Sequence, residues 1–148
     1  MTGKAKYKDI QQWLSRYSVE YHKSLILEER LSSMEINAPK SVAIQKIKNE
    51  LTAAKAQMII FYDEIDAAIG KISGAGEETM RGVLQMRYLD SASWNEINFA
   101  LFGDRKDFPE RVENYLRTTF NYQERAMKKL SSILETQEPA ESRHDSST

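Results

Sequence analysis

The sequence predicts an all-α protein: a long N-terminal helical hairpin, coiled-coil-like, followed by a C-terminal helix-turn-helix domain. Three patterns carry this expectation. Ile44, Ile47, Leu51, Ala54, Met58, Phe61, Ile65, Ala68 and Ile72 alternate steps of three and four, a heptad seam sustained over four repeats. Met80, Val83, Leu84 and Tyr88 then recur at helical spacing, and after Leu89-Asp90-Ser91-Ala92 a second short set follows with Trp94, Ile97, Leu101 and Phe102. A third amphipathic stretch carries Tyr115, Thr119, Tyr122, Ala126, Leu130 and Ile133 on one face.

The first helix is expected from near Tyr7 to about Met34, with Ile10, Leu14, Tyr17, Tyr21, Leu25, Leu27, Leu31 and Met34 as its stripe, which shifts phase near Leu25. Asn37-Ala38-Pro39 breaks it, with Asn37 as the cap of the next helix and Pro39 tolerated in its first turn. That second helix, Ala38 to Ile72, would reach roughly 50 Å, too long to bury its seam alone. Either the first helix folds back on it or a second copy of the chain adds to the same seam. The seam residues Ile47, Leu51, Met58, Phe61 and Ile65 are therefore expected at an oligomer interface. Trp13, Tyr17, Tyr21, Phe61 and Tyr62 read as packing within the hairpin.

Ser73-Gly74-Ala75-Gly76 stops the seam helix; no strand precedes these glycines and no Gly-Lys-Ser/Thr follows, so a phosphate loop is not indicated. The following short helices have unusually clear ends. Ser93 and Glu96 have capping-box spacing, and Gly103 supplies a stop. After the charged loop Asp104-Arg105-Lys106-Asp107-Phe108, Pro109 is expected to open the last helix, with a bend or break near Glu113-Asn114. From Thr136 on no large apolar side chain occurs, which predicts a disordered tail. The expected division is 1–75 for oligomerisation or partner binding, 76–135 for the helix-turn-helix, and 136–148 for the tail.

Composition bounds the function classes. With 148 residues and 41% hydrophobic content the chain supports a modest core, and the absence of cysteine excludes disulfides and thiolate metal sites. No apolar run is long enough for a membrane span or marks a signal peptide, so the protein is expected in the cytoplasm, without membrane contact. A net charge of −1 argues against coating nucleic acid by bulk electrostatics. Yet between Asn114 and Leu130, Arg117, Arg125, Lys128 and Lys129 stand against Glu124 alone, a local excess of +3. Asp63, Glu64 and Asp66 read as a solvated helix flank, and His22 and His144 lack partners for a triad or a zinc site. No catalytic constellation, cofactor site or metal site is expected.

Three blocks carry a resemblance to a known family. Val83-Leu84-Gln85-Met86-Arg87-Tyr88-Leu89-Asp90, Ser93-Trp94-Asn95-Glu96-Ile97 and Glu124-Arg125-Ala126-Met127-Lys128-Lys129-Leu130 stand in the order of three blocks in region four of the main bacterial sigma-factor family, which these stretches resemble. Trp94 and the Leu101-Phe102-Gly103-Asp104 stretch with its loop insertion are similar to the ArpU-like and RinA-like late transcription activators of phages and prophages. This resemblance implies a sequence-specific regulator of phage or prophage late genes that binds double-stranded DNA in the cytoplasm of a bacterial host, with host RNA polymerase as a further candidate partner; a homodimer is expected because one helix with a local excess of only +3 would bind weakly alone.

On the last helix, Arg117, Asn121, Arg125 and Lys128 fall opposite the apolar face, with Thr118 beside them. Arg117, Thr118 and Asn121 are the expected base readers: Arg forks onto guanine, Asn pairs with adenine, and Thr meets a thymine methyl. Arg125, Lys128 and Lys129, with Arg105 and Lys106 from the loop, are the expected phosphate contacts. Exposed Arg and Lys are more commonly a solvated helix face. Two alternatives follow from the same elements: a small-terminase-like packaging subunit that forms rings on DNA, and a phage protein that binds a host protein without reading DNA.

Overall fold

The computed structural model describes residues 3–146, and their side chains for 7–136. The described residues form α1 (Gly3–Leu14), α2 (Arg16–Asn37), α3 (Ala43–Ile69), α4 (Glu77–Leu84) with a π-helical turn (Gln85–Leu89), α5 (Trp94–Phe102) and α6 (Val112–Ser146). No strand occurs among them, as the all-α expectation requires. None of these helices is long and apolar enough to cross a membrane.

Two compact units divide the chain: Ser15–Glu64, and Met1–Leu14 together with Ile65–Thr148. The sequence places the boundary at residue 75, whereas the chain passes between units at 14/15 and at 64/65. The single first helix expected from Tyr7 to Met34 is correspondingly two helices, broken at Ser15. The cause is the burial pattern. Ile10 and Leu14 are buried in the unit of the C-terminal helices, and the chain changes neighbours at Ser15, about three turns before the phase shift near Leu25.

In the unit of residues 15–64, α2 and α3 run antiparallel, as the pairs Arg16–Glu64 and Glu28–Lys55, each 3.0 Å, require. Leu27 packs on Ile47, Leu51 and Ala54, with Leu31 and Met34 at the margin. At the other end Arg16 lies 4.6 Å over the Phe61 ring, and Tyr17 meets Tyr62 edge-on at 5.4 Å. The oligomer-seam assignment is therefore corrected: Ile47 and Leu51 are covered by α2 of the same chain, Phe61 by Arg16, and Met58 is half-buried. A heptad seam specifies only that a helix lies against it, and here the chain supplies that helix itself. Trp13, expected in the hairpin, lies on α1 in the other unit. Helix α3 also starts later than Ala38. Asn37 remains in α2, and Ser41 takes the capping position, its hydroxyl accepting from the Ala43 amide at 3.2 Å.

In the other unit α6 is the centre, with α1, α4 and α5 packed on it. Ile65, the fifth expected seam residue, is fully buried here with Ala68, Ile69 and Ile72. The chain then turns through Gly74 (φ 114°) and Gly76 (φ 76°), left-handed positions that favour glycine. Arg81 closes the turn by donating twice to the Ile72 carbonyl, at 2.9 and 2.6 Å. Gln123 of α6 donates to the Tyr7 hydroxyl at 2.8 Å and the Tyr88 hydroxyl at 3.2 Å, tying α1 and the π-helical turn to the central helix. Burial raises the pKa of both phenols, so they serve as neutral hydrogen-bonding groups.

Helix α6 begins at Val112 rather than Pro109 and runs without a break past Glu113-Asn114. Residues 103–111 instead form successive turns closed by Arg105, Phe108 and Arg111 amide bonds. The backbone stays helical to Ser146, through most of the stretch expected as a disordered tail; Glu135, Gln137, Glu138, Ala140 and Glu141 are good helix formers even without an apolar face. Residues 147–148 lie outside the described residues.

Candidate nucleic-acid interface

The corner that presents α6 is built from Ser91 onward. After the π-helical turn, Ser91 takes φ 58°, a left-handed value unusual for serine, and the chain re-enters a helix three residues later, at Trp94. Both halves of the expected capping box are present: the Ser93 hydroxyl accepts from the Glu96 amide at 3.1 Å, and the Glu96 carboxylate accepts from the Ser93 amide at 3.0 Å. Hydrogen bonding of the carboxylate by the Ser93 amide foremost, and by the Ser93 side chain second, holds the Glu96 carboxyl below its ordinary pKa. A depressed carboxyl stabilises the fold above its unfolded pKa and loses that contribution as pH falls through the folded value. Ser93→Ala removes the hydroxyl that accepts from the Glu96 amide and should lower stability by about 1 kcal/mol, as loss of a helix cap does. Glu96→Gln, which cannot titrate, should show a smaller acid loss in urea titrations than the native chain; equal acid limbs would count against the cap.

Helix α5 is nine residues long and depends on α6 for its stability. Ile97 and Phe102 are buried, and Trp94 meets Phe120 of α6 edge-on at 5.0 Å while Arg87 covers its ring at 4.9 Å. Gly103 ends α5 with an ordinary right-handed φ of −60°. Its lack of a side chain matters for space, because a Cβ there would lie 2.5 Å from the Phe99 carbonyl oxygen and 2.8 Å from the Phe99 ring. Phe102 and Phe108 both stack on Tyr115, whose hydroxyl donates to Asp107 at 2.6 Å. That hydrogen bond raises the Tyr115 pKa and anchors the loop to α6.

The deepest link is polar. Asn98, only 1% exposed, donates from Nδ2 to the Val112 carbonyl at 3.1 Å and accepts at Oδ1 from the Thr119 hydroxyl at 3.0 Å. It clamps α5 to the first two turns of α6. The sequence shows only that Asn98 adjoins the apolar positions of α5 and that Thr119 lies on the inner face of α6; their pairing, like the Gln123 bridge, leaves no periodic signal.

On the outer side of α6, Arg117 and Asn121 are exposed one turn apart, and Lys128 is exposed on the same stripe. Thr118, Asn121, Tyr122, Glu124, Arg125 and Lys128 line one shallow depression of about 400 Å³. The structure thus gathers Thr118, Asn121, Arg125 and Lys128 on one surface, with the acidic Glu124 among them. Arg125, though exposed, is engaged by its own chain: its Nη2 donates to the Ala75 carbonyl at 3.0 Å and its guanidinium lies 5.4 Å over the Tyr122 ring. Lys129, also exposed, passes over the same turn, its Nζ 3.0 Å from where a Cβ on Gly74 would stand. Arg125 thus also braces the turn of residues 73–76. Arg105 and Lys106 are exposed in the loop, Arg105 lying 5.9 Å from the Phe102 ring centre.

Elsewhere Asp63 is exposed, Glu64 pairs with Arg16, and Asp66 accepts from Gln85 at 3.4 Å. Among the described residues no three His, Asp or Glu side chains gather as a metal site. Compared with protein-family models, curated proteins and solved structures, the chain matches none.

Proposed function

We propose that the chain is a sequence-specific regulator that reads duplex DNA with the outer face of α6, in the manner of a helix-turn-helix whose supporting helix is α5. The observation that carries this reading is the exposure of Arg117 and Asn121 one turn apart on a helix whose start is clamped by Asn98. An arginine and an asparagine so placed match the donor and acceptor pattern of guanine and adenine in a major groove. Thr118 flanks them, and Lys128 supplies a cation toward the helix end. Arg125 is shared with the turn before α4, so the phosphate contacts fall first to Lys128, Lys129, Arg105 and Lys106. Control of phage or prophage late genes, with host RNA polymerase as partner, is the setting that the sequence resemblance supports.

So few cations on one reading helix give weak binding at physiological salt, which favours action in pairs. Selection from a pool of random-sequence duplexes tests the reading. The native chain should enrich one motif. Arg117→Ala should bind it about tenfold or more weakly and lose preference at one base pair, while Lys128→Ala should weaken all duplexes evenly and lower the salt slope by about one. No enriched motif, or unchanged affinity in Arg117→Ala, would overturn the proposal. Phe99 on α5, 64% exposed, favours a second reading in which this unit docks on a protein and reads no DNA.

A further inference from the structure

The polar base readers proposed on α6 have an apolar neighbour. Phe120 follows Arg117 by three residues and directly precedes Asn121, and its ring is 42% exposed. At about 100° per residue it lies about 60° to one side of Arg117, with Thr118 about 100° to the other. Arg117, Thr118, Phe120 and Asn121 therefore share less than half of the helix circumference. Among the described side chains of α6, the exposed large apolar ones are Val112, at its first position, and Phe120. The Phe120 ring is also held in place. Trp94 meets it edge-on at 5.0 Å, and the Arg87 guanidinium lies 4.9 Å over the Trp94 ring. Arg87 is fixed in turn by donating from Nη1 to the Ala92 carbonyl at 3.2 Å. Trp94 is the first residue of α5, so the capping bonds between Ser93 and Glu96 that start this helix also set where Trp94 stands. A ring ordered in this way gives up little rotamer freedom on binding.

We infer that Phe120 is a specificity-determining residue that packs on the C5-methyl group of a thymine in the major groove. The inference rests on the proposed reading of duplex DNA by α6 and adds one base contact to it. The chemistry of the groove selects the occupant. A helix with its side chains is about 10–12 Å across and the major groove about 12 Å wide, so residues on the flanks of the inserted face meet the groove walls. A phenyl ring makes none of the hydrogen bonds by which guanine, cytosine and adenine present themselves there, and the thymine methyl is the one apolar group on the base edges. Phe120 matches that group and no other. Thr118 lies on the opposite flank, half-buried, with its hydroxyl donating to the Asn114 carbonyl at 3.3 Å, so the two side chains do not compete for one methyl.

Uracil pairs as thymine does but lacks the methyl, so the first arm of the test changes the DNA and leaves the full-length chain intact. In the duplex enriched by the native chain, each thymine of the motif is replaced by uracil in turn and the affinity is measured by competition. One replacement should weaken native binding about fourfold, the worth of one buried methyl-sized group. Phe120→Ala should bind the thymine and uracil forms of that position equally, whereas Arg117→Ala and Thr118→Ala should keep the difference. Phe120→Leu, which retains an apolar side chain there, should keep part of it. The absence of any uracil-sensitive thymine, or sensitivity that survives at every position in Phe120→Ala, overturns the inference. Either result on a motif that still depends on Arg117 leaves base reading in place; failure to enrich any motif removes both.

Discussion

Ile65→Asp should abolish the cooperative unfolding of the unit that contains α6, and Ile47→Asp should leave that transition in place. Both residues belong to one unbroken heptad on α3, and the sequence alone gives no reason to distinguish them. Ile65 is fully buried among the residues of the α6 unit, so a carboxylate there lies beyond reach of solvent. A buried unpaired charge or its enforced neutralisation costs about 4 kcal/mol or more, a large share of the stability of a small domain. Ile47 is buried as well, but between α2 and α3, so the same change there melts the hairpin. The readout is built in. Trp13 and Trp94, the two tryptophans of the chain, both lie in the α6 unit. Tryptophan fluorescence therefore follows that unit, while circular dichroism sums both. Ile47→Asp should reduce the helical signal and keep a native-like fluorescence transition in urea; Ile65→Asp should lose the fluorescence transition. Loss of both signals together in Ile47→Asp would show that the chain does not divide at 64/65.

That contrast also marks what sequence alone could show. Periodicity exposed the helices and their buried faces, because burying an apolar stripe is what makes a short helix stable. It did so well for α3, and for α6 it picked out Thr119, Ala126 and Leu130 as inward. Capping chemistry located the start of α5 to the residue, since the Ser93 and Glu96 pair has few other uses at that spacing. What periodicity does not encode is which helix covers a stripe. The seam of α3 therefore looked like an oligomer surface, and α1 looked like part of the hairpin, although Ile10 and Leu14 are buried in the α6 unit. Residues 103–111 were opaque for a different reason. Their turns are closed by stacking of Phe102 and Phe108 on Tyr115, contacts between residues several positions apart that follow no repeat. Among the candidate DNA contacts, exposure of Arg117 and Asn121 follows from helical phase, whereas the engagement of Arg125 by the Ala75 carbonyl requires the fold.

Asn98→Ala should destabilise the same unit by about 2–4 kcal/mol, more than its small change in volume alone would cost. The side chain is almost wholly buried, and its removal deletes both hydrogen bonds that join α5 to α6 while leaving a cavity at the corner. The Thr119 hydroxyl retains the Tyr115 carbonyl at 3.1 Å, so part of its hydrogen bonding survives. The Val112 carbonyl loses its link to α5, and that loss falls at the start of α6. Thr119→Val keeps the shape of the inner face and removes one end of the clamp. Combining the two changes should therefore cost less than the sum of the single variants, with a coupling of about 1 kcal/mol measured by urea unfolding. Strict additivity would mean that Asn98 and Thr119 do not act as a pair. The same clamp bears on the proposed DNA reading, because Arg117 and Asn121 project from the turns of α6 that Asn98 holds. In the native fold retained at low temperature, Asn98→Ala should weaken binding to the enriched duplex while keeping its base preference. Arg117→Ala should lose that preference, so positioning and reading separate as two effects on one binding curve.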